Sequence, residues 1–154
     1  MKIKVMCFNK ISSEFSDAYS FFVEKINKVA DLEVIEIPEV NLGDIKSNRV
    51  KNEETLLKKM DELKDFEIFL LDINARQYTS NDFAKAIEKN KDFKGAKMAF
   101  IIGPSDGFSV EFRIKFTNKI SFGPMTFPYS LIRTMLVEQI YRSFKIIRNE
   151  PYHK

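Results

Sequence analysis

The chain has 154 residues, of which 44% are hydrophobic and 31% charged, and its formal net charge is +3 at pH 7. This length and apolar content predict a single domain, residues 1 to 154, with one sizeable core. No apolar run approaches the ~20 residues of a membrane span, and MKIKVMCF is too short and too interrupted by lysine for a signal peptide, so we expect a soluble, cytoplasmic protein that does not enter a membrane.

The first half of the chain alternates between strand and helix patterns. KIKVMCF predicts a strand that contains the only cysteine, Cys7, which we expect to be a buried structural thiol. Apolar residues at helical spacing predict a helix over residues 14 to 29, and LEVIEI, residues 32 to 37, predicts an exposed or edge strand that Pro38 ends. The polar stretch NLGDIKSNRVKNEE predicts a surface loop before a helix near residues 53 to 63.

The second half repeats this alternation. FEIFLLD, residues 66 to 72, and KMAFIIG, residues 97 to 103, predict strands covered on both faces, and Ser80 or Asn81 is expected to cap a helix between them. A short helix before residue 119 and a short strand at residues 120 to 122 follow. Pro128 suits the first turn of a last helix that reaches about residue 148. The alternation predicts an α/β fold with a mostly parallel sheet flanked by helices.

Ligands of open parallel sheets bind beyond the carboxyl ends of the strands, which directs attention to the loops after Leu71, Ile102 and Phe122. The second loop, GPSDGFS, has glycines that allow a close backbone approach, but it matches no known phosphate-binding fingerprint and a plain tight turn has the same composition. The third, FGPMTFP, offers main-chain N–H groups to a ligand or forms only a rigid connection. Those N–H groups belong to Met125, Thr126 and Phe127.

Basic residues are concentrated at the C-terminal end. Residues 1 to 112 carry 17 basic and 20 acidic side chains, and residues 113 to 154 carry 8 basic and 2 acidic ones. This asymmetry is typical of a surface that faces nucleic acid, although a solvated helix face is the commoner cause. In the last helix Glu138 is spaced to pair with Arg142, for which an RNA phosphate would be a competing partner.

The chain ends in EPYHK, which contains the only histidine, His153. Histidine is the side chain best suited to move a proton near neutral pH, whereas chain ends are commonly frayed and without function. One cysteine and one histidine cannot form a disulfide or the usual zinc ligand set, so no metal is expected.

The run MTFPYSLIRTMLVEQIYRSFKIIRNEPYHK, with LLD and FIIGPSDGFS upstream, closely resembles the small ribosomal RNA methyltransferases of the RlmH type. The resemblance covers nearly the whole chain and is strongest from residue 100 onward. It implies a SPOUT-type fold with a C-terminal trefoil knot that binds S-adenosylmethionine. It also implies a homodimer that methylates ring nitrogen 3 of a pseudouridine in large-subunit ribosomal RNA on the assembled ribosome. The implied cofactor contacts are Leu71, Gly103, Phe122, Gly123, Pro124, Met125, Thr126 and Phe127.

The resemblance also implies roles for the C-terminal tail, which in this family approaches the cofactor pocket across the dimer. His153 is the preferred general base and Asp106 a weaker candidate. Arg142 and Tyr152 complete the catalytic set by binding phosphate or orienting the base. The residues expected to bind RNA are Arg142, Lys145 and Lys154.

The chain departs from the family pattern in three places. Pro104 replaces a second glycine and removes an N–H donor, Tyr129 replaces a histidine found in many members, and Ala75-Arg76 replaces a Gly-Lys pair. These departures motivate a second hypothesis, in which the chain is a dimeric ribosome- or RNA-binding protein with weak or no methyltransferase activity. Methylation of another RNA is a third.

Overall fold

A computed structural model describes all 154 residues. Strands and helices alternate along the chain, and a 3₁₀ turn, Met60–Leu63, follows the second helix. The elements are β1 (Lys2–Phe8), α1 (Ser13–Asn27), β2 (Asp31–Ile37), α2 (Ile45–Lys59), β3 (Glu67–Leu71), α3 (Ser80–Phe93), β4 (Lys97–Ile101), α4 (Val110–Arg113), β5 (Asn118–Ile120) and α5 (Tyr129–Ile147).

The five strands form one sheet in the order β2-β1-β4-β3-β5, and every pair is parallel. The predicted α/β fold with a parallel sheet is therefore confirmed, as is the position of β2 at an edge. Because all strands run in one direction, their carboxyl ends and the loops that follow them meet at the same edge of the sheet.

Helices cover both faces of the sheet, which explains why the central strands are apolar throughout. In β4, Met98 and Phe100 point into a core shared with α1, α3 and α5. Ala99 and Ile101 point into the opposite core, shared with α2 and α4. None of these four side chains is exposed to solvent, as expected for a strand buried on both faces of a parallel sheet.

The prediction of a surface loop over residues 41 to 54 is wrong, because α2 already begins at Ile45. Asp44 caps this helix by accepting a hydrogen bond from the Ser47 N–H at 2.8 Å. The segment looked like a loop because it is polar, yet Asn48 and Asn52 are buried. Their side-chain oxygens accept hydrogen bonds from the main chain of residues 42 and 40. The two side-chain amides therefore form hydrogen bonds with the turn that precedes α2, and not with solvent.

Most other boundaries differ from the predictions by one to three residues, but the short helix α4 ends at Arg113 and not near Lys119 as expected. Thr79, not Ser80 or Asn81, caps α3, because its hydroxyl accepts the Asp82 N–H at 3.0 Å. The short strand β5 lies two residues earlier than the expected range of 120 to 122. Ser121, which was expected to lie in this strand, forms an isolated β-bridge with Gln77. Pro128 stands at the N-cap of α5, just before the first turn. None of the helices has the length and apolarity needed to cross a membrane.

The buried thiol of Cys7 should be unreactive in the folded protein. Burial raises the pKa of Cys7 to about 12, although the charge of Arg133 acts in the opposite direction. Because the thiolate is the reactive form, an aromatic disulfide reagent at pH 8 should modify the native protein negligibly and the urea-unfolded protein fully. Absorbance of the released thiol measures both reactions. Rapid modification of the native protein would contradict this prediction.

Candidate cofactor-binding site

The loops after β3, β4 and β5 enclose a cavity of about 720 Å³ at the carboxyl edge of the sheet. This volume falls within the ~300 to 1,000 Å³ typical of small-molecule sites. Of the eight residues that the resemblance assigned to the cofactor, Pro124 does not line the cavity. The other seven do: Leu71, Gly103, Phe122, Gly123, Met125, Thr126 and Phe127. The fold thus brings together the three loops singled out from the sequence, and their contact with a cofactor stays a prediction.

Gly103 is required where the loop after β4 closes on itself. A Cβ atom at this position would lie 2.9 Å from the ring of Phe108. That ring is buried and stacks on Phe112, with ring centroids 4.6 Å apart, so it cannot easily retreat. A side chain at residue 103 would therefore displace the ring or the cavity wall.

The loop after β5 presents unused main-chain donors to the cavity. Its start is fixed by Ser121, whose hydroxyl accepts a hydrogen bond from the Gly123 N–H at 3.0 Å. Gly123 has a φ of +122°, which favours glycine. The next N–H groups along the loop, at Met125, Thr126 and Phe127, donate no hydrogen bond within the chain. Because these three residues line the cavity, their free N–H groups are available to acceptor atoms of a ligand.

Three charged side chains of the cavity were not identified from the sequence. Asp72 lies at its wall, almost fully buried, and pairs with Arg113 at 3.3 Å. Arg49 reaches the cavity from α2 and donates through Nε to the main-chain oxygen of Asp106 at 2.9 Å. The position of Asp72 directly after a buried strand was a usable signal. Arg49 had none, because its segment reads as a loop.

Asp106, the weaker candidate base, also lines the cavity. Its carboxylate accepts a hydrogen bond from the Asn48 side chain at 2.7 Å. This hydrogen bond ties the orientation of the carboxylate to α2. The geometry therefore suits Asp106 as a structural part of the loop at least as well as a proton acceptor.

The tail residues expected to be catalytic meet one another but do not line this cavity. Arg142 donates through Nε to Glu138 at 3.0 Å, and the Tyr152 hydroxyl donates to the same carboxylate at 2.9 Å. The Arg142 guanidinium lies 4.7 Å from the centre of the Tyr152 ring. His153 Nδ1 is 3.4 Å from Arg142 Nη1. Within one chain, the tail thus folds back onto α5.

Hydrogen bonding and burial within this cluster raise the pKa values of two side chains. The hydrogen bond to Glu138 raises the pKa of Arg142 above its usual value. Burial, followed by the hydrogen bond to Glu138, raises the pKa of Tyr152 to about 12. Tyr152 is therefore a neutral hydrogen-bond donor at physiological pH, and it cannot accept the proton of a substrate there.

The remaining residues expected to bind RNA, Lys145 and Lys154, differ in whether they already have an ion-pair partner within the chain. Lys145 forms an ion pair with Glu150, which raises the pKa of Lys145 and lowers that of Glu150. Lys154 is exposed and forms no ion pair. Two of the three expected phosphate ligands, Arg142 and Lys145, therefore already have a carboxylate partner within the chain.

A second cavity, of about 490 Å³, lies between α3 and α5, and Glu138 is part of its wall. Ser121 and Phe122 line both cavities, so the tail cluster and the larger cavity are separated by the chain that follows β5. The structure contains no group of three or more His, Cys, Asp or Glu side chains arranged to hold a metal ion.

Comparison with known proteins identifies the family. The family model described as "Predicted SPOUT methyltransferase" matches residues 1–153. A Mycoplasma mycoides protein named "Ribosomal RNA large subunit methyltransferase H" is 45% identical over 155 residues, covering all of both chains. The protein of that name from Enterococcus faecalis is 35% identical over 160 residues, again covering all of both chains.

Among solved structures, a probable methylase family protein from Haemophilus influenzae Rd KW20 has a similar fold. The TM-score is 0.57 at 14% identity, and the match covers 99% of this chain and 70% of the other. The fold, the full-length family match and the full-length relatives together show that this chain belongs to the SPOUT methyltransferase family, as its relatives named ribosomal RNA large subunit methyltransferase H do.

Proposed function

We propose that residues 1 to 154 act as one SPOUT domain that transfers a methyl group from S-adenosylmethionine to ring nitrogen 3 of a pseudouridine. The substrate is large-subunit ribosomal RNA within assembled ribosomes of the cytoplasm, and the active form is a homodimer. The observation that carries the proposal is the 720 Å³ cavity, lined by seven of the eight expected cofactor contacts. The names of the relatives support an RNA substrate.

The proposal includes a trefoil knot around the cavity. Its support is the close association of two segments that are distant in sequence. The Ser121 N–H donates to the main-chain oxygen of Arg76 at 3.0 Å, and the Ser121 hydroxyl lies 3.1 Å from the main-chain oxygen of Ile73. The loop after β3 therefore lies against the chain that leaves β5, as a knot at this point requires.

The residues of the cavity suit S-adenosylmethionine in size and chemistry. Apolar side chains such as Leu71 and Phe122 offer contacts for an adenine ring, and the unused N–H groups of residues 125 to 127 offer donors to its polar atoms. When bound, S-adenosylmethionine supplies an electrophilic methyl group. The protein must hold that group and the ring nitrogen about 3 to 3.5 Å apart and in line.

The protein must also remove the proton from the ring nitrogen, and we propose His153 of the second subunit for this step. Within one chain His153 contacts Arg142 instead of the cavity, so a tail from the other copy would complete the site. Arg142 and Tyr152 would orient the base or bind phosphate, with Lys145 and Lys154 contributing further positive charge. A phosphate would compete with Glu138 for Arg142.

The test is methyl transfer to ribosomes from cells that lack this gene. With labelled S-adenosylmethionine we expect one methyl group per large subunit, located on a pseudouridine by mass spectrometry of the RNA. Ribosomes from cells that keep the gene should accept no label, because their site is already occupied. Labelling of free RNA transcripts at a different nucleotide would contradict the proposed substrate.

A second candidate function is a dimeric ribosome- or RNA-binding protein with weak or no methyltransferase activity. The observation that favours it is that two departures from the family pattern, Pro104 and Tyr129, both line the larger cavity. Pro104 has no N–H to offer a ligand there. Calorimetric titration with S-adenosylmethionine separates the two functions. If the dimer binds none, with or without ribosomes, the methyltransferase proposal fails.

A further inference from the structure

Two glutamates outside the cavity hold the loop of residues 103 to 109, and they do so in the same way. Glu39, just after β2, accepts the Ser105 N–H through Oε1 at 2.8 Å and the Ser105 hydroxyl through Oε2 at 3.0 Å. Glu53, in α2, accepts the Ser109 N–H through Oε1 at 2.6 Å and its hydroxyl through Oε2 at 3.0 Å. Each carboxylate thus engages both donors of one serine.

These contacts join segments that are far apart in sequence, and they bracket the loop. Between the two serines, Asp106 is held by Asn48 at 2.7 Å and by Arg49 at 2.9 Å. The loop that lines the cavity is therefore hydrogen-bonded at three points to the segment between β2 and the middle of α2. The 103 to 109 loop forms part of the cavity wall, and it cannot move without breaking several of these hydrogen bonds.

The carboxylates are needed because the loop has little internal support. Within it, the main chain forms only one hydrogen bond, from the Gly107 N–H to the Pro104 oxygen at 2.9 Å. Pro104 itself contributes no donor. Hydrogen bonds to an ionised acceptor are about twice as strong as those between neutral groups, so two such pairs can replace the missing main-chain contacts.

We propose that Glu39 and Glu53 are positioning residues of the cofactor site, which hold the 103 to 109 loop in the conformation that binds S-adenosylmethionine. The inference rests on the proposed function, since it takes the larger cavity as the cofactor site. It adds a role for two residues of the N-terminal half, where the resemblance to the family is weakest. Neither glutamate touches the cavity, so each acts through a serine of the loop.

The test compares Glu39→Ala, Glu53→Ala and the two glutamine variants of the full-length dimer. Each alanine variant should bind S-adenosylmethionine about tenfold more weakly, because a charged acceptor of two hydrogen bonds is lost. At saturating cofactor, kcat should stay within about twofold of the wild-type value, since the reacting groups are unchanged. Amide hydrogen exchange at Ser105 and Ser109 should accelerate in the matching variant. Titration calorimetry, ribosome methylation and exchange measured by NMR provide the three readouts.

The glutamine variants serve as the rescue. A glutamine amide can accept the serine N–H and donate to the serine hydroxyl, so Glu53→Gln should bind the cofactor nearly as the wild type does. In Glu39→Gln the donating Nε2 would also face the Asn9 side-chain N–H that Glu39 Oε2 accepts at 2.8 Å, so its rescue should be only partial. Glu54→Ala is the matched control, because Glu54 is exposed and its ion pair is with Lys51 at 3.5 Å. Glu54→Ala should leave the affinity for S-adenosylmethionine and the amide hydrogen exchange at Ser105 and Ser109 unchanged.

Two results would overturn the inference, and they are distinguishable. If the wild type binds the cofactor and the alanine variants bind it equally well, the glutamates do not position the site and the inference alone fails. If the wild type binds no cofactor under any condition, the proposed function fails and the inference fails with it. An alanine variant that unfolds is assessed through its glutamine counterpart, and loss of binding by a folded Glu53→Gln dimer would also contradict the proposed geometry.

Discussion

Replacing His153 with alanine should lower kcat for methylation of the ribosome by about 10² to 10⁴-fold, the usual contribution of a positioned general base. Affinity for S-adenosylmethionine should stay within about twofold, because His153 does not line the larger cavity. Single-turnover methylation with the variant bound to ribosomes measures the chemical step, and calorimetry measures the affinity. A His153→Ala variant with wild-type kcat would exclude this base and leave Asp106 as the candidate.

A mixture of two inactive variants tests whether the tail acts across the dimer. His153→Ala keeps an intact cavity, while Gly103→Val keeps an intact tail but forces a side chain against the ring of Phe108. In a mixed dimer, a tail that acts on the other subunit brings one intact tail to one intact cavity, so activity should return. If the tail acts within its own chain, neither cavity is complete. Absence of activity in mixtures that contain mixed dimers by native mass spectrometry would contradict the trans arrangement.

The parts of the fold that the sequence revealed are those governed by local pattern. Buried strands such as β4 are apolar on both faces, and β2 alternates apolar with acidic residues, so both were recognisable as strands. The expectation that one face of β2 is solvated is wrong, because Leu32 packs into one core and Ile37 into the other. The start of α2 was not, because its buried Asn48 and Asn52 are polar for a tertiary reason, namely the turn before the helix. Hydrophobic periodicity carries no signal for side chains that are buried by hydrogen bonding.

In the candidate site, too, the features set by local sequence pattern could be predicted and those set by tertiary contacts could not. Its three loops could be predicted, since loops after parallel strands gather at one edge. The contacts that shape them could not, because Glu39 and Glu53 reach serines 66 and 56 positions further along the chain. The pairing of Glu138 with Arg142 was predictable from spacing, and it is confirmed. The approach of Tyr152 to that pair was not predictable, since it depends on how the tail turns back after α5.

Replacing Arg133 with alanine should lower the free energy of unfolding by about 3 to 5 kcal/mol, because it removes a large buried side chain and leaves two main-chain oxygens without their donor. The side chain of Arg133 is fully buried and donates to Glu36 at 2.8 Å. It also donates to the main-chain oxygens of Phe8 and Asn9 at 3.0 and 2.6 Å. Urea unfolding followed by circular dichroism measures the loss. Arg148→Ala, at an exposed arginine 3.9 Å from Glu150, is the control and should cost less than about 1 kcal/mol.

Arg133→Met separates the packing contribution from the hydrogen bonds. Methionine fills much of the volume, but it leaves both main-chain oxygens without their donor, so this variant should remain at least about 2 kcal/mol less stable than the wild type. Stability equal to the wild type would mean that packing alone matters. The lost donor also affects Asn9, which has a φ of +59° and whose side chain donates to Glu39 at 2.8 Å. Because Glu39 in turn binds Ser105, Arg133 anchors a series of contacts that runs from α5 to the wall of the cavity.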